Sequence, residues 1–369
     1  MTDDGTNRLL VYGAYGYTGR LIVEATAERG LDPIVAGRDP AKTRGVATAH
    51  DVPARSFDVR AAESHLGGVD AVLNCAGPFT ETADAMVEAC LATGTDYLDI
   101  TGELPVFERL RRRDDDAQRA GVTLLPGVGF DVVPTDCLAA HLHDRLPDAD
   151  HLSLALEADG GVSPGTLKTV LGGLGDGGAV RRDGVLRHER VAARIRVVDF
   201  GDGLQRAVSI PWGDVSTAYH TTGIPNIEVY LSAPAGARAG MKLTSYLGDG
   251  LDNGAVQRGL SWLIDRYVDG PDTETRRSGT ARVWGEARTG DTRVVSRLRT
   301  PETYQFTVES ALLAAEKVLD GDAPEGYQTP ASAFGPDLVL ELDGVERVDL
   351  DAGEVVERAS APDATVPAE

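Results

Sequence analysis

Seven residues near the amino end, Gly13-Ala14-Tyr15-Gly16-Tyr17-Thr18-Gly19, constrain this chain more than any other feature. They follow the apolar run Leu9-Leu10-Val11-Tyr12 and lead into a helical stretch from about Thr18 to Arg29, so a strand passes through a glycine turn into a helix. In that setting Gly13 permits the tight turn, Gly16 lets the backbone approach a pyrophosphate and Gly19 allows close helix–strand packing. The helix N-terminus adds unpaired N–H groups for the anion. The spacing is GxxGxxG and not GxGxxG, so the surrounding pattern must carry the inference.

That pattern is an alternation of short apolar runs and helical stretches. DPIVAG, a helix near Pro40 to His50, ARSFDV, DAVLNCAG from Asp70, a helix from about Thr82 to Thr93, TDYLDITG, a helix near Leu104 to Ala120 and VTLLPG follow in order. Strands separated by helices at this spacing predict a parallel sheet with right-handed crossovers, here six strands in the doubly wound order. After Gly129 the rhythm changes. A helix near Pro134 to Arg145 and HLSLALEA give way to a Gly-rich stretch, Pro164 to Gly178. Period-two segments then follow, ARIRVVDF, QRAVSIPW and IPNIEVYLSA, with GTARVWGEAR and TRVVSRLR joined by a GD turn. The expected fold class is therefore α/β, a Rossmann doubly wound parallel sheet plus a second α+β domain with a mainly antiparallel sheet. The boundaries read as 1–130 for the nucleotide-binding domain and 131–300 for the α+β domain, which would bind substrate or a second subunit. A helix from about Glu302 to Leu319 and a C-terminal segment occupy 301–350, and an acidic, disordered tail 351–369.

The ends of the strands name the cofactor. Where NAD enzymes set an acid against the ribose 2′-hydroxyl, this chain has Ala36-Gly37-Arg38. No carboxylate stands there to repel a 2′-phosphate, and Arg38 can grip one bidentately while stacking on adenine. Asp39 is expected to be occupied as the cap of the next helix. NADP(H) is the expected cofactor. The predicted cofactor set is Gly13, Tyr15, Gly16, Tyr17, Thr18, Gly19, Gly37, Arg38 and Asp58, with Asn74, Cys75, Ala76, Gly77 and Pro78 beside the point where strand order reverses.

Composition narrows the partners. A formal net charge of -22 repels nucleic acid and anionic membranes, and no apolar run is long enough to span a bilayer. The polar amino end is unlike a signal peptide, which predicts a cytoplasmic protein. Lys stands only at 42, 168, 242 and 317, the remaining cations being Arg, and acids abound. Such a balance fits a proteome adapted to high salt, as in haloarchaea, an ordinary acidic enzyme from a GC-rich genome being the alternative. Cys75, Cys90 and Cys137 show no metal or disulfide spacing, and no metal is expected. A homodimer is left open.

With these residues assembled, the chain resembles the saccharopine dehydrogenase-like NADP-binding oxidoreductases, and more narrowly their trans-acting enoyl reductase branch. The segments that carry the likeness are GAYGYTGRLIVE, VAGRDPAK, NCAGPFTETADAMVEACLATGTDYLDITGE and LLPGVGFDVVPTDCLA. A weaker continuation runs through SPGTLKTVL, RVWGEART, the Tyr304 helix and TPASAFGPDLVLEL. The resemblance implies a second domain that presents its sheet to the cofactor, with substrate between the domains, and a chain end near Ser332 to Leu342 that packs back on the first. It also implies hydride transfer to an enoyl or carbonyl group of a small, lipid-like molecule. An amine- or imine-directed dehydrogenase and a non-catalytic NADP sensor remain the other readings.

A proton donor is needed beside the hydride acceptor. Tyr97 and Asp99, with Glu103, cluster on the fifth strand and its loop, and Asp131 follows the sixth; His220, next to Tyr219, is the candidate from the second domain. For Asp99 and Asp131 the alternative role is to hold loops or cap helices. Three other motifs are discounted. Gly161-Val162-Ser163-Pro164-Gly165 matches a nucleophile elbow, but Pro164 lacks the N–H that an oxyanion hole requires. No Tyr-x-x-x-Lys pair occurs, and His141 and His143 diverge too far on one helix to share a metal.

Overall fold

A computed structural model describes residues 8–158, 178–232 and 273–350. The serine motif at 161–165, most of the Gly-rich stretch and the acidic tail lie outside them. The chain divides into two compact units, Met1–Val133 with Tyr304–Phe334, and Pro134–Thr303 with Gly335–Glu369.

The first unit is a parallel sheet in the order β15-β6-β5-β4-β1-β2-β3. Its strands are β1 (Leu9–Tyr12), β2 (Ile34–Gly37), β3 (Ala54–Ser56), β4 (Ala71–Asn74), β5 (Asp96–Asp99), β6 (Thr123–Leu125) and β15 (Gly326–Tyr327). Strand order reverses between β1 and β4, which pair directly through Tyr12 and Asn74. Central strands are apolar throughout because both faces are covered. Leu10, Tyr12, Ile34, Ala36, Val72 and Tyr97 pack on α3 (Phe79–Thr93) and α4 (Leu104–Arg111). Leu9, Val11, Val35, Leu73 and Leu98 pack on α1 (Tyr17–Glu28), α2 (Pro40–His50) and the helix Thr303–Leu319. Each such side chain taken fully from water stabilises the fold by roughly 1.5–3 kcal/mol.

Two features differ from the sequence reading. The helix expected over 104–120 is two helices, α4 and α5 (Asp114–Ala120), because the backbone tightens where Arg112 and Arg113 donate to Arg109 and Leu110. Asp114, Asp115 and Asp116 then suit a fresh helix N-terminus. The seventh strand, β15, is only two residues long and arrives from 200 residues downstream. It is held where Asp114 accepts from the Tyr327 N–H at 2.8 Å and Thr123 donates to the Pro324 carbonyl at 3.0 Å.

The second unit is built on a nine-stranded sheet whose main path runs β10-β11-β12-β7-β13-β14-β16. It comprises β7 (His151–Ala158), β8 (Gly178–Arg182), β9 (Val185–Glu189), β10 (Ile195–Asp199), β11 (Leu204–Ser209), β12 (Asn226–Ser232), β13 (Thr280–Thr289), β14 (Thr292–Pro301) and β16 (Glu346–Leu350). All pairs are antiparallel except β7 with β12. The expected GD hairpin is there, with Gly290 at φ 54° between β13 and β14. On one face Gly285 makes room for Leu138 and Leu142 of α6 (Val133–Arg145). The other carries Arg–acid pairs, among them Arg194 and Arg182 on Glu228, Arg196 on Glu286, and Arg297 on Asp199.

Candidate functional site

In the first unit the residues singled out from sequence gather at the carboxyl ends of the parallel strands, around the reversal between β1 and β4. Gly13 has φ 83°, and a Cβ there would stand 2.8 Å from the Ala76 nitrogen, so glycine is what allows the loop after β4 to close on the loop after β1. A Cβ on Gly19 would overlap the Gly13 carbonyl, which draws α1 tight against the turn. Gly16 is different. Its backbone is extended and a Cβ would meet only the Gly13 oxygen, at 3.2 Å, so a side chain there asks for a small shift of that one carbonyl, unlike the backbone clashes at Gly13 and Gly19. Tyr17 and Thr18 open α1, which begins without a side-chain cap and without an acid in its first turn, the arrangement that suits a bound phosphate.

Beyond β2 the Tyr15 ring lies so close over Gly37 that a Cβ would stand 2.5 Å from it. Arg38 is exposed, and Asp39 caps α2 by accepting from Ala41 and Lys42. Lys42 places its ammonium 5.7 Å from the Tyr15 ring centre. Asp58 caps the short 3-10 helix Val59–His65 through Arg60. Burial, and then the Asp58 carboxylate, push the Tyr12 hydroxyl up to about 12, against a pull from Arg38. Sequence reasoning passed over Lys42. Its signal was one of only four lysines, standing one turn after an arginine at a strand end.

After β4, Asn74 is fully buried and fixes the loop at both ends. Its Oδ1 accepts from the Ala76 N–H at 3.0 Å, and its Nδ2 donates to Thr82 and to Tyr97 at 3.3 Å. Cys75 and Gly77 follow, with a cis peptide between Gly77 and Pro78. Burial pushes the Cys75 thiol well up, so it stays protonated.

Tyr97 and Asp99 are both 0% exposed. Tyr97 donates to Asp99 Oδ2 at 2.7 Å, while Asp99 Oδ1 accepts from the Thr101 and Gly127 N–H groups, each at 2.9 Å. The carboxylate thus ties the loop after β5 to the loop after β6. Burial raises Asp99 to about 6 despite those hydrogen bonds. Glu103 accepts from Phe79 N at 2.9 Å and Thr80 N at 2.8 Å, capping α3. Asp131 is half-buried beside Gly102, whose added Cβ would stand 2.7 Å from its Oδ2. Burial, and then Glu103, raise it to about 6. His220 belongs to the second unit, on the helix Asp214–Thr222, where its ring meets Tyr219 at 5.6 Å.

Residues 9–125 match the family model of the saccharopine dehydrogenase NADP binding domain. Over this segment, about a third of the chain, the protein is similar to the NADP-binding domains of that family. A lipid droplet localized protein of Caenorhabditis elegans is 29% identical over 210 residues, 51% of this chain and 49% of its own. A trans-acting enoyl reductase of Mycobacterium leprae is 32% identical over 149 residues, 37% of this chain and 36% of its own. The matches thus span at most about half of these relatives. Beyond the NADP-binding domain the fold likeness continues. Apo saccharopine dehydrogenase (L-Glu forming) from Saccharomyces cerevisiae superposes with a TM-score of 0.63, covering 94% of this chain and 100% of its own, at 14% identity.

The residues around the NADP-binding domain's strand ends fit a dinucleotide. The Gly13–Gly19 turn would hold the pyrophosphate, Arg38 the 2′-phosphate, and the Asn74–Pro78 loop the nicotinamide ribose.

Proposed function

We propose that the protein is an NADP-dependent oxidoreductase acting on an enoyl or carbonyl group of a small, lipid-like substrate, in the cytoplasm. The observation that carries this reading is the β1–β4 crevice of an NADP-binding domain, where Gly13 and Gly19 leave no room for side chains and Arg38 stands at the flank. The trans-acting enoyl reductase and lipid droplet names of relatives support the substrate class. Among the described residues no helix is long and apolar enough to cross a membrane.

The cofactor, when bound, supplies the hydride. What this chain adds is position and a proton. Tyr97 and Asp99 spend their polar atoms on Asn74, Thr101 and Gly127, so we assign them to positioning: they hold the loops after β4, β5 and β6 in register. Asp131 is the group we assign to proton delivery, because a carboxyl near pH 6 beside the strand ends is protonated often enough to donate. His220 is the alternative donor.

NADPH consumption with an α,β-unsaturated acyl thioester tests the reading. The wild-type protein is expected to oxidise NADPH, and Gly16→Val to fold normally yet lose that activity and NADPH binding. NADPH binding without turnover across enoyl, carbonyl and imine acceptors would leave only a sensor. Because Asp131 acts as an acid, kcat falls as pH rises through about 6, and Asp131→Asn removes that inflection.

A further inference from the structure

At the opposite, amino-terminal end of the parallel strands lies a second cavity, ≈ 670 Å³, lined in part by Arg8, Arg55, Asp32, Glu316 and Asp320. Its charges are segregated. Arg8 precedes β1 in register with Leu10 and Tyr12, and Arg55 on β3 donates to the His65 carbonyl, so both belong to the sheet face covered by α3. Leu31 and Leu319, next to Asp32 and Asp320, pack with the opposite face, where Glu316 is held by Arg29. The cavity wraps the sheet edge from a basic wall to an acidic one.

The basic wall is unusual in so acidic a chain. Burial lowers the Arg55 pKa, and the Arg8 guanidinium lowers it further, so two like charges face one space. Neither guanidinium has an ion pair among the described residues: Asp70 accepts from the Arg8 backbone N–H at 2.6 Å, and the carboxylates that line the cavity itself, Asp32, Glu316 and Asp320, are on its other wall. Like charges brought together in a concavity raise its affinity for a counter-ion, and opposed walls of opposite sign favour a ligand carrying both charges.

We propose that this cavity binds a small zwitterion of the amino-acid class, its carboxylate on Arg8 and Arg55 and its ammonium toward Asp32 and Asp320. The site is independent of the cofactor crevice and of any turnover there.

The test is calorimetric titration of the full chain with β-alanine and ε-aminocaproate, with caproate and hexylamine as single-charge controls, at fixed high chloride. At least one zwitterion is expected to bind saturably. Each control should bind about tenfold or more weaker, and Arg55→Gln and Asp320→Asn should each weaken the zwitterion about tenfold. NADPH affinity in both variants should equal that of the wild type, which shows that they are folded. Binding of caproate as tight as the zwitterion would reduce the cavity to an anion site and overturn the proposal. So would no binding by either zwitterion, or variants that fold but bind unchanged.

Discussion

On the proposed reading, Arg38 is the residue on which cofactor choice turns. It is exposed, and its charge reaches the fold only as a minor pull on the Tyr12 hydroxyl, so Arg38→Gln should leave stability nearly unchanged. A lost charge-assisted contact to the 2′-phosphate is worth about 1.5–3 kcal/mol, or roughly ten- to hundredfold in NADPH affinity, with NADH unaffected. Fluorescence titration of both nucleotides checks this; an equal loss for both would remove Arg38 from the 2′-phosphate. Asp99 makes the converse case, a carboxyl that serves the fold. Its folded pKa of about 6 lies above the ordinary value, so the folded chain holds the proton more tightly than the unfolded one. The stability this group contributes is full below pH about 4 and is lost as pH rises to about 6. Tyr97→Phe removes a hydrogen bond that favours the carboxylate, so the Asp99 titration should move further up. Unfolding free energy at neutral pH should fall by about 1–2 kcal/mol, read from urea midpoints across pH. Unchanged midpoints would show that the bond contributes nothing.

Among the elements, α3 shows how a helix start is built from a distant side chain. Its N-cap position is Pro78, which offers no side-chain acceptor, and Glu103 from the loop after β5 takes two of the orphan N–H groups instead. Glu103→Gln keeps the size but loses the charge, and should cost about 1–2 kcal/mol in chemical denaturation. If stability is unchanged, solvent caps the helix as well as Glu103 does. This cap was invisible in sequence because its partners are 23 and 24 residues apart. Asp39 is the contrast: the N–H groups it accepts from lie two and three residues on, and the expected cap formed. The division of the 104–120 stretch was also encoded locally, in the acids at 114–116, yet helical periodicity runs through the break. Nothing in two residues could announce β15.

For the molecule as a whole, charge sets the working conditions. A net charge of -22 makes the compact state repel itself, and the screening length shrinks from about 10 Å at 0.1 M salt to about 3 Å at 1 M. The ion pairs on the second sheet, such as Arg196 with Glu286, are partly buried and less exposed to that screening. The melting temperature should therefore rise with KCl from about 0.1 M to about 2 M. A flat or falling curve would show that repulsion is not what limits stability, and would point to an ordinary acidic protein.

The sequence by itself determined the parallel α/β unit and its glycine turn, because both rest on short-range signals: apolar runs of strand length and glycines between strand and helix; the arginine where an acid would stand, on which the NADP expectation rests, is equally local. Tertiary structure decided the rest. The seventh strand, the Glu103 cap, the Asn74–Tyr97–Asp99 ties and the two-walled cavity all bring together residues far apart in the chain, and only packing chooses such partners. It also gives two similar carboxyls different surroundings. Asp99 ends β5 and Asp131 lies in the loop after β6, and both are raised alike, but Asp99 is buried with one oxygen on Tyr97 and the other on the Thr101 and Gly127 N–H groups, and Asp131 is half-buried beside Gly102.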